Sequence, residues 1–94
     1  MNITKSTRYA LYAAAEMAMA ADAGDDRPTT VAAVAERYGI PEGALAKVFQ
    51  QLVRVEIALG ARGAGGGYRL ARKPTEVTLL DVVEAIEPGR APGE

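Results

Sequence analysis

The sequence predicts a single, mainly α-helical domain with one small β-hairpin, and three observations lead there. Three segments repeat apolar residues at helical spacing and a fourth is long, apolar and alanine-rich, a glycine-rich stretch lies between two short extended runs, and the 94 residues are the size of one domain. Hydrophobic residues make up 49% of the chain, but 19 of the 94 are alanine, so the core is thin for its apolar content. Cysteine and histidine are both absent. That excludes, for these residues, thiolate metal sites, cysteine-held iron–sulfur clusters, disulfides and histidine acid–base chemistry. No carboxylates pair in a recognisable motif, so the chain is not expected to be an enzyme, and neither a cofactor, a metal nor a small-molecule ligand is expected. No apolar stretch approaches the roughly 18–20 residues of a membrane span, and no signal-peptide pattern opens the chain. An intracellular protein without a membrane partner is the expectation.

Residues 1–8 read as an N-terminal arm. From Tyr9 to Ala23 the chain is almost continuously apolar, with Glu16 and Asp22 its only charges and no glycine or proline before Gly24. Length and alanine content make this a helix, and its nearly all-round apolarity calls for cover on more than one side, by its own domain and by a second subunit. Gly24 to Pro28 is a loop. A second helix begins after Thr29 or Thr30, either of which can cap it, and carries Val31, Val34, Ala35 and Tyr38 at i, i+3, i+4 and i+7. Gly39 suits its end and Pro41 the first position of a third helix, running to Val55. That helix turns Leu45, Val48, Phe49 and Leu52 inward and Lys47, Gln50, Gln51 and Arg54 outward, a polar stripe free of acids. Two short helices joined by a glycine-containing turn, the second displaying basic and amide side chains, form a helix-turn-helix pattern.

Ile57 to Arg62 and Tyr68 to Arg72 are short extended runs around Gly63-Ala64-Gly65-Gly66-Gly67, which makes a hairpin. A nucleotide-phosphate loop is the competing reading of these glycines. It fails because Tyr68 stands where the dinucleotide pattern needs glycine, because strand rather than helix follows, and because no lysine followed by serine or threonine completes a P-loop. Arg62 and Arg69 flank the tip and suit a polyanion backbone, which glycines allow to approach closely. Thr78-Leu79-Leu80-Asp81 opens a fourth helix with Leu79, Val82, Val83 and Ile86 inward, Pro88-Gly89 stops it, and residues 88–94 have the composition of a flexible tail.

The formal net charge of −1 speaks at first against nucleic acid. Yet residues 47–73 hold Lys47, Arg54, Arg62, Arg69, Arg72 and Lys73 against the single acid Glu56, a local charge of +5. The near-neutral total conceals segregation, and the basic part coincides with the third helix and the hairpin.

Taken together, Thr7-Arg8-Tyr9-Ala10-Leu11, the helix pair from Val31, Arg62-Gly63-Ala64-Gly65-Gly66-Gly67-Tyr68-Arg69-Leu70-Ala71 and Thr78-Leu79-Leu80-Asp81-Val82-Val83-Glu84-Ala85-Ile86 resemble the Rrf-two family of bacterial transcription regulators. The resemblance covers nearly the whole chain, its most specific piece being R-G-x-G-G-G-Y-x-L. It implies a winged helix-turn-helix that binds double-stranded operator DNA as a homodimer in the bacterial cytoplasm, as a repressor. It further implies Arg62 at the wing position that borders the minor groove, with Gly63, Gly65, Gly66 and Gly67 shaping the wing and Arg69 beside it. Lys47 falls at a base-reading position, followed by Gln50, with Gln51 and Arg54 on the same stripe. Lys5, Ser6, Thr7 and Arg8 match the segment that grips phosphate. Tyr68 is expected to pack the wing rather than touch a base.

Three departures bear on specificity. Pro41, Gly43 and Ala44 stand where the family shows small hydroxyls and an aromatic, Glu56 replaces a common glycine, and the long dimerising helix and cluster cysteines are missing. The 94 residues are either an excised DNA-binding domain or a short form that dimerises differently. The alternative function is a protein-interaction module that pairs with a full-length relative and reads DNA weakly or not at all.

Overall fold

The computed structural model describes residues 3–25, 27–61 and 66–87. Its elements in order are α1 (Lys5–Asp22), α2 (Val31–Tyr38), α3 (Glu42–Arg54), β1 (Ala58–Gly60), β2 (Tyr68–Leu70), a 3-10 turn (Pro74–Glu76) and α4 (Leu79–Ile86). β1 and β2 form a two-stranded antiparallel sheet in the register Ala58 to Leu70, Leu59 to Arg69 and Gly60 to Tyr68.

α1 starts a full turn before the apolar run, which corrects the expected arm. Thr4 caps it by accepting the Thr7 N–H at 3.1 Å, so Lys5, Ser6, Thr7 and Arg8 form the first helical turn. Of the two candidate caps for α2, Thr30 is used, accepting the Ala33 N–H at 3.1 Å. Thr29 instead bridges to the hairpin, exchanging 2.8 Å backbone bonds in both directions with Tyr68. Pro41 is the extended N-cap of α3 rather than its first helical residue, with ψ 129°, and it offers no side chain to the free N–H groups. Glu42, the first helical residue, places a negative charge in the first turn, favourable to the helix dipole there.

The core is a layer of small and branched side chains from α1 (Ala10, Ala13, Met17), α2 (Val34, Ala35), α3 (Leu45, Val48, Phe49, Leu52), the hairpin (Ile57, Ala58) and α4 (Val82). All four inward residues of α3 are buried, as its spacing predicts. α4 departs from expectation. Thr78 and Asp81 form a reciprocal capping box at 3.0 Å each way, and the helix packs through Val82, Ala85 and Ile86. That phase leaves Leu79 74% and Leu80 48% exposed, so Leu79 is not an inward residue, and Val83 is only half-buried.

The hairpin sits on α3 and on the α1–α2 loop. Phe49 stacks on Tyr68 with ring centroids 4.5 Å apart, so Tyr68 is a packing residue as expected. Gly67 has φ 117°, and a Cβ there would lie 2.7 Å from Cβ of Pro28 and 2.9 Å from the Thr29 carbonyl oxygen. Only glycine lets the two segments approach so closely.

Gly67→Ala is expected to destabilise the fold by about 1–3 kcal/mol, through strain and overpacking together. Gly43→Ala, at a helical position with nothing within 4 Å, should instead stabilise it by roughly 0.5–1 kcal/mol. Urea unfolding of both variants checks the contrast. The Asp81 carboxyl is held below its ordinary range, first by the Thr78 backbone N–H. Because its folded value is depressed, its stabilisation is complete at neutral pH and is lost as pH falls through that value. Thermal midpoints from pH 6 to 3 should therefore fall less in Asp81→Asn than in the parent.

Candidate nucleic-acid interface

α2 and α3 are joined through Gly39, Ile40 and Pro41. Gly39 turns the chain with φ 66°, and the Ile40 N–H bonds the Ala35 carbonyl at 2.9 Å while the Ile40 side chain is buried. This short, pinned turn fixes α3 relative to α2. α2 in turn is fixed to α1 by Glu16, to which spacing alone assigns no partner. Tyr38 donates its hydroxyl to Glu16 at 2.7 Å, Arg37 reaches the same carboxylate at 3.1 Å, and Tyr12 and Tyr38 stack at 4.4 Å. Donation to Glu16 raises the Tyr38 phenol above its ordinary range. The available signal is an acid in the middle of an apolar run with an Arg-Tyr pair on the next helix.

With its apolar stripe buried, α3 presents Lys47, Gln50 and Arg54 to solvent and leaves Gln51 half-buried. The described part of the wing is joined to this helix at two points. One is the Phe49–Tyr68 stack. The other is Arg72, whose guanidinium donates to the carbonyls of Glu56 at 3.1 Å and Val55 at 3.2 Å. Arg72 thus closes the C-terminal end of α3 while remaining exposed, with Asp81 4.0 Å from its guanidinium. Arg69 is exposed on β2, cross-strand from the exposed Leu59, while Tyr68 and Leu70 turn toward the body. Gly66 has φ 59° and Gly67 φ 117°, backbone shapes suited to a wing. Arg62, Gly63 and Gly65 lie outside the described residues.

On α1, Lys5, Ser6 and Arg8 are exposed, but Thr7 is not. Its side chain is fully buried and bonds Thr4 and Glu87. As a phosphate contact Thr7 is therefore corrected: helical geometry sends the third residue of this turn inward while its neighbours face solvent.

Comparison with known proteins fits this architecture. The profile of the Rrf2 (Rrf-two) family, described as iron-dependent transcriptional regulators, matches residues 3–94. The chain belongs to the Rrf2 family. It is 42% identical over 87 residues to the putative HTH-type transcriptional regulator BadM of Rhodopseudomonas palustris, covering 93% of this chain and 53% of that protein. Against the HTH-type transcriptional regulator IscR of Aliivibrio salmonicida the identity is 36% over 87 residues, covering 93% and 50%. The solved structure of CymR, the global cysteine regulator of B. subtilis, superposes over the whole chain and 70% of its own with a TM-score of 0.87 at 26% identity. The chain thus spans about half the length of these two regulators.

The iron named in the Rrf2 family description has no fitting donor set in these residues. The sequence has no thiolate or imidazole donor, and among the described residues no three metal-ligating side chains gather.

Among the described residues of this Rrf2 domain, Glu56 is the one non-glycine residue with a positive φ. It takes φ 63° immediately past α3, the left-handed shape that a glycine adopts without penalty. The Ile57 N–H bonds back to Leu52 at 2.9 Å, which enforces that shape and leaves the Glu56 carboxylate exposed near Arg54 in sequence. Glu56→Gly is expected to stabilise the domain by about 1 kcal/mol through relief of the left-handed penalty. It should also tighten binding to duplex DNA at low salt, a gain that shrinks as salt rises. Thermal unfolding and fluorescence anisotropy on the same preparation check both effects.

Proposed function

We propose that this chain is the DNA-binding part of an Rrf2-type transcriptional repressor, acting as a homodimer on a two-fold operator in double-stranded DNA. α3 enters the major groove and the wing lies along the adjacent backbone. The observation that carries this reading is the division of α3 into a fully buried stripe and an outward, acid-free stripe of Lys47, Gln50 and Arg54. An interface of that kind uses lysine as a donor to guanine and glutamine to bridge adenine edges, while arginine favours phosphate. The start of α3 offers little for base reading, since Pro41, Gly43 and Ala44 are exposed without a side-chain donor. Specificity then rests on Lys47 and Gln50.

The homodimer is supported by apolar side chains left exposed on two helices, Tyr12 and Met19 on α1 and Leu79 and Leu80 on α4. Operator binding of this kind belongs to the bacterial cytoplasm, where the chromosome lies. Among the described residues, no helix is long and apolar enough to cross a membrane. The same exposed side chains favour the second reading, a module that pairs with a longer relative.

Selection from a random duplex library, followed by anisotropy over a salt series, tests the proposal. Binding that weakens linearly in log salt, with a preferred sequence, is expected. Lys47→Ala should alter the base preference by about 1–3 kcal/mol at one position while leaving the salt slope nearly unchanged, whereas Arg62→Ala should weaken all sequences alike. A chain that binds no duplex at any salt, yet forms a mixed dimer with a longer relative in light scattering, would establish the module instead.

A further inference from the structure

Among the described residues, Thr7 is the one polar side chain that is fully buried. Its hydroxyl donates to the carboxylate of Glu87, which is 80 positions away in the sequence. The hydroxyl of Thr4 lies 3.2 Å from the same carboxylate oxygen and 3.0 Å from the Thr7 hydroxyl, and Thr4 also accepts the Thr7 N–H at 3.1 Å. Two helix ends meet at this cluster. Glu87 directly follows α4, whose C-terminal dipole disfavours an acid, and it contacts the capping turn of α1, whose N-terminal dipole favours one. The carboxylate belongs electrostatically to α1, although the chain delivers it from α4.

The turn it grips is the one bearing Lys5, Ser6 and Arg8, all exposed around the buried Thr7. From this juxtaposition we propose that Glu87 is a positioning residue for DNA binding. By holding Thr7 and Thr4, it fixes the first turn of α1 so that Lys5, Ser6 and Arg8 meet the phosphate backbone in register. Any displacement of the end of α4 is then transmitted to the phosphate grip. This inference rests on the DNA-binding reading above.

A merely structural Glu87 would affect folding but not the number of phosphates neutralised, and the salt slope separates the two. Duplex affinity is measured by anisotropy over a salt series for the parent, Glu87→Ala, Thr7→Val and the double variant Lys5→Ala/Arg8→Ala. Each protein is used at a temperature where circular dichroism finds it folded. Loss of two phosphate contacts should make the slope of log affinity against log salt shallower by about 2 in Glu87→Ala. Affinity at moderate salt should fall on the order of tenfold, and Thr7→Val should do the same. Adding Glu87→Ala to the Lys5→Ala/Arg8→Ala background should change nothing further, since the contacts it positions are already gone. Thr7→Ser, which keeps the hydroxyl, should bind like the parent and keeps the test decisive where a harsher variant fails to fold. An unchanged slope in folded Glu87→Ala or Thr7→Val, even with lowered stability, would overturn the positioning role, and so would a full additional loss in the double-variant background. A parent chain that binds no duplex would overturn the DNA-binding reading itself, and this inference with it.

Discussion

Phe49 is the single phenylalanine of the chain, is fully buried in the middle of α3, and stacks on Tyr68 of the hairpin with ring planes 16° apart. Much of the candidate interface depends on that contact. A two-stranded hairpin is marginal by itself in water and needs a hydrophobic face to rest on. Here the face is provided by the same helix whose outward side carries Lys47, Gln50 and Arg54. Thr29 adds a backbone bridge on the far side of Tyr68, and Gly67 lets the strand pass close enough to make it. The helix and the base of the wing are thereby fixed to one another, a condition for two elements to address one duplex at a defined spacing.

The ends of the first three helices follow one rule with one exception. A backbone N–H reaches back five residues at each: Asp25 to Ala20 at 3.0 Å, Ile40 to Ala35 at 2.9 Å and Ile57 to Leu52 at 2.9 Å. The residue before each donor must be left-handed. Gly24 and Gly39 meet that need at φ 69° and 66°, and Glu56 meets it at φ 63° with a Cβ in the way. The third end is held all the same, because Leu52 and Ile57 are both buried and Arg72 covers the carbonyls of Val55 and Glu56. An arginine close in sequence to the wing thus serves the backbone of α3.

Local physics made much of this readable from sequence. The inward stripe of α3, the glycine end of α2, the cap at Thr78 and the packing role of Tyr68 all follow from spacing or from the chemistry of neighbouring residues. What escaped was set by distant partners. Nothing near Thr7 announces that it is buried, because its partner is Glu87. Arg72 suits phosphate and carbonyl oxygen equally, and only the fold decides between them. Leu79 fits the helical period but loses its place to the phase imposed by Val82, Ala85 and Ile86. The start of α1 lies earlier than its apolar run suggests, because polar residues in a first turn look the same as an arm until a cap such as Thr4 is recognised.

The thin core explains how charge and packing are divided. Alanines at positions 10 and 13 let α1 lie close to its neighbours, but they bury little area each, so larger contacts must come from a few residues on α3 and from polar ties at the edges. Glu16 joins α1 to α2, and Glu87 joins α4 to α1. These acids are spent on holding helices together, away from the outward stripe of α3, whose basic and amide residues stay in water. A near-neutral chain can in this way keep a basic outward face. Segregation, rather than net charge, is the electrostatic property that the fold maintains.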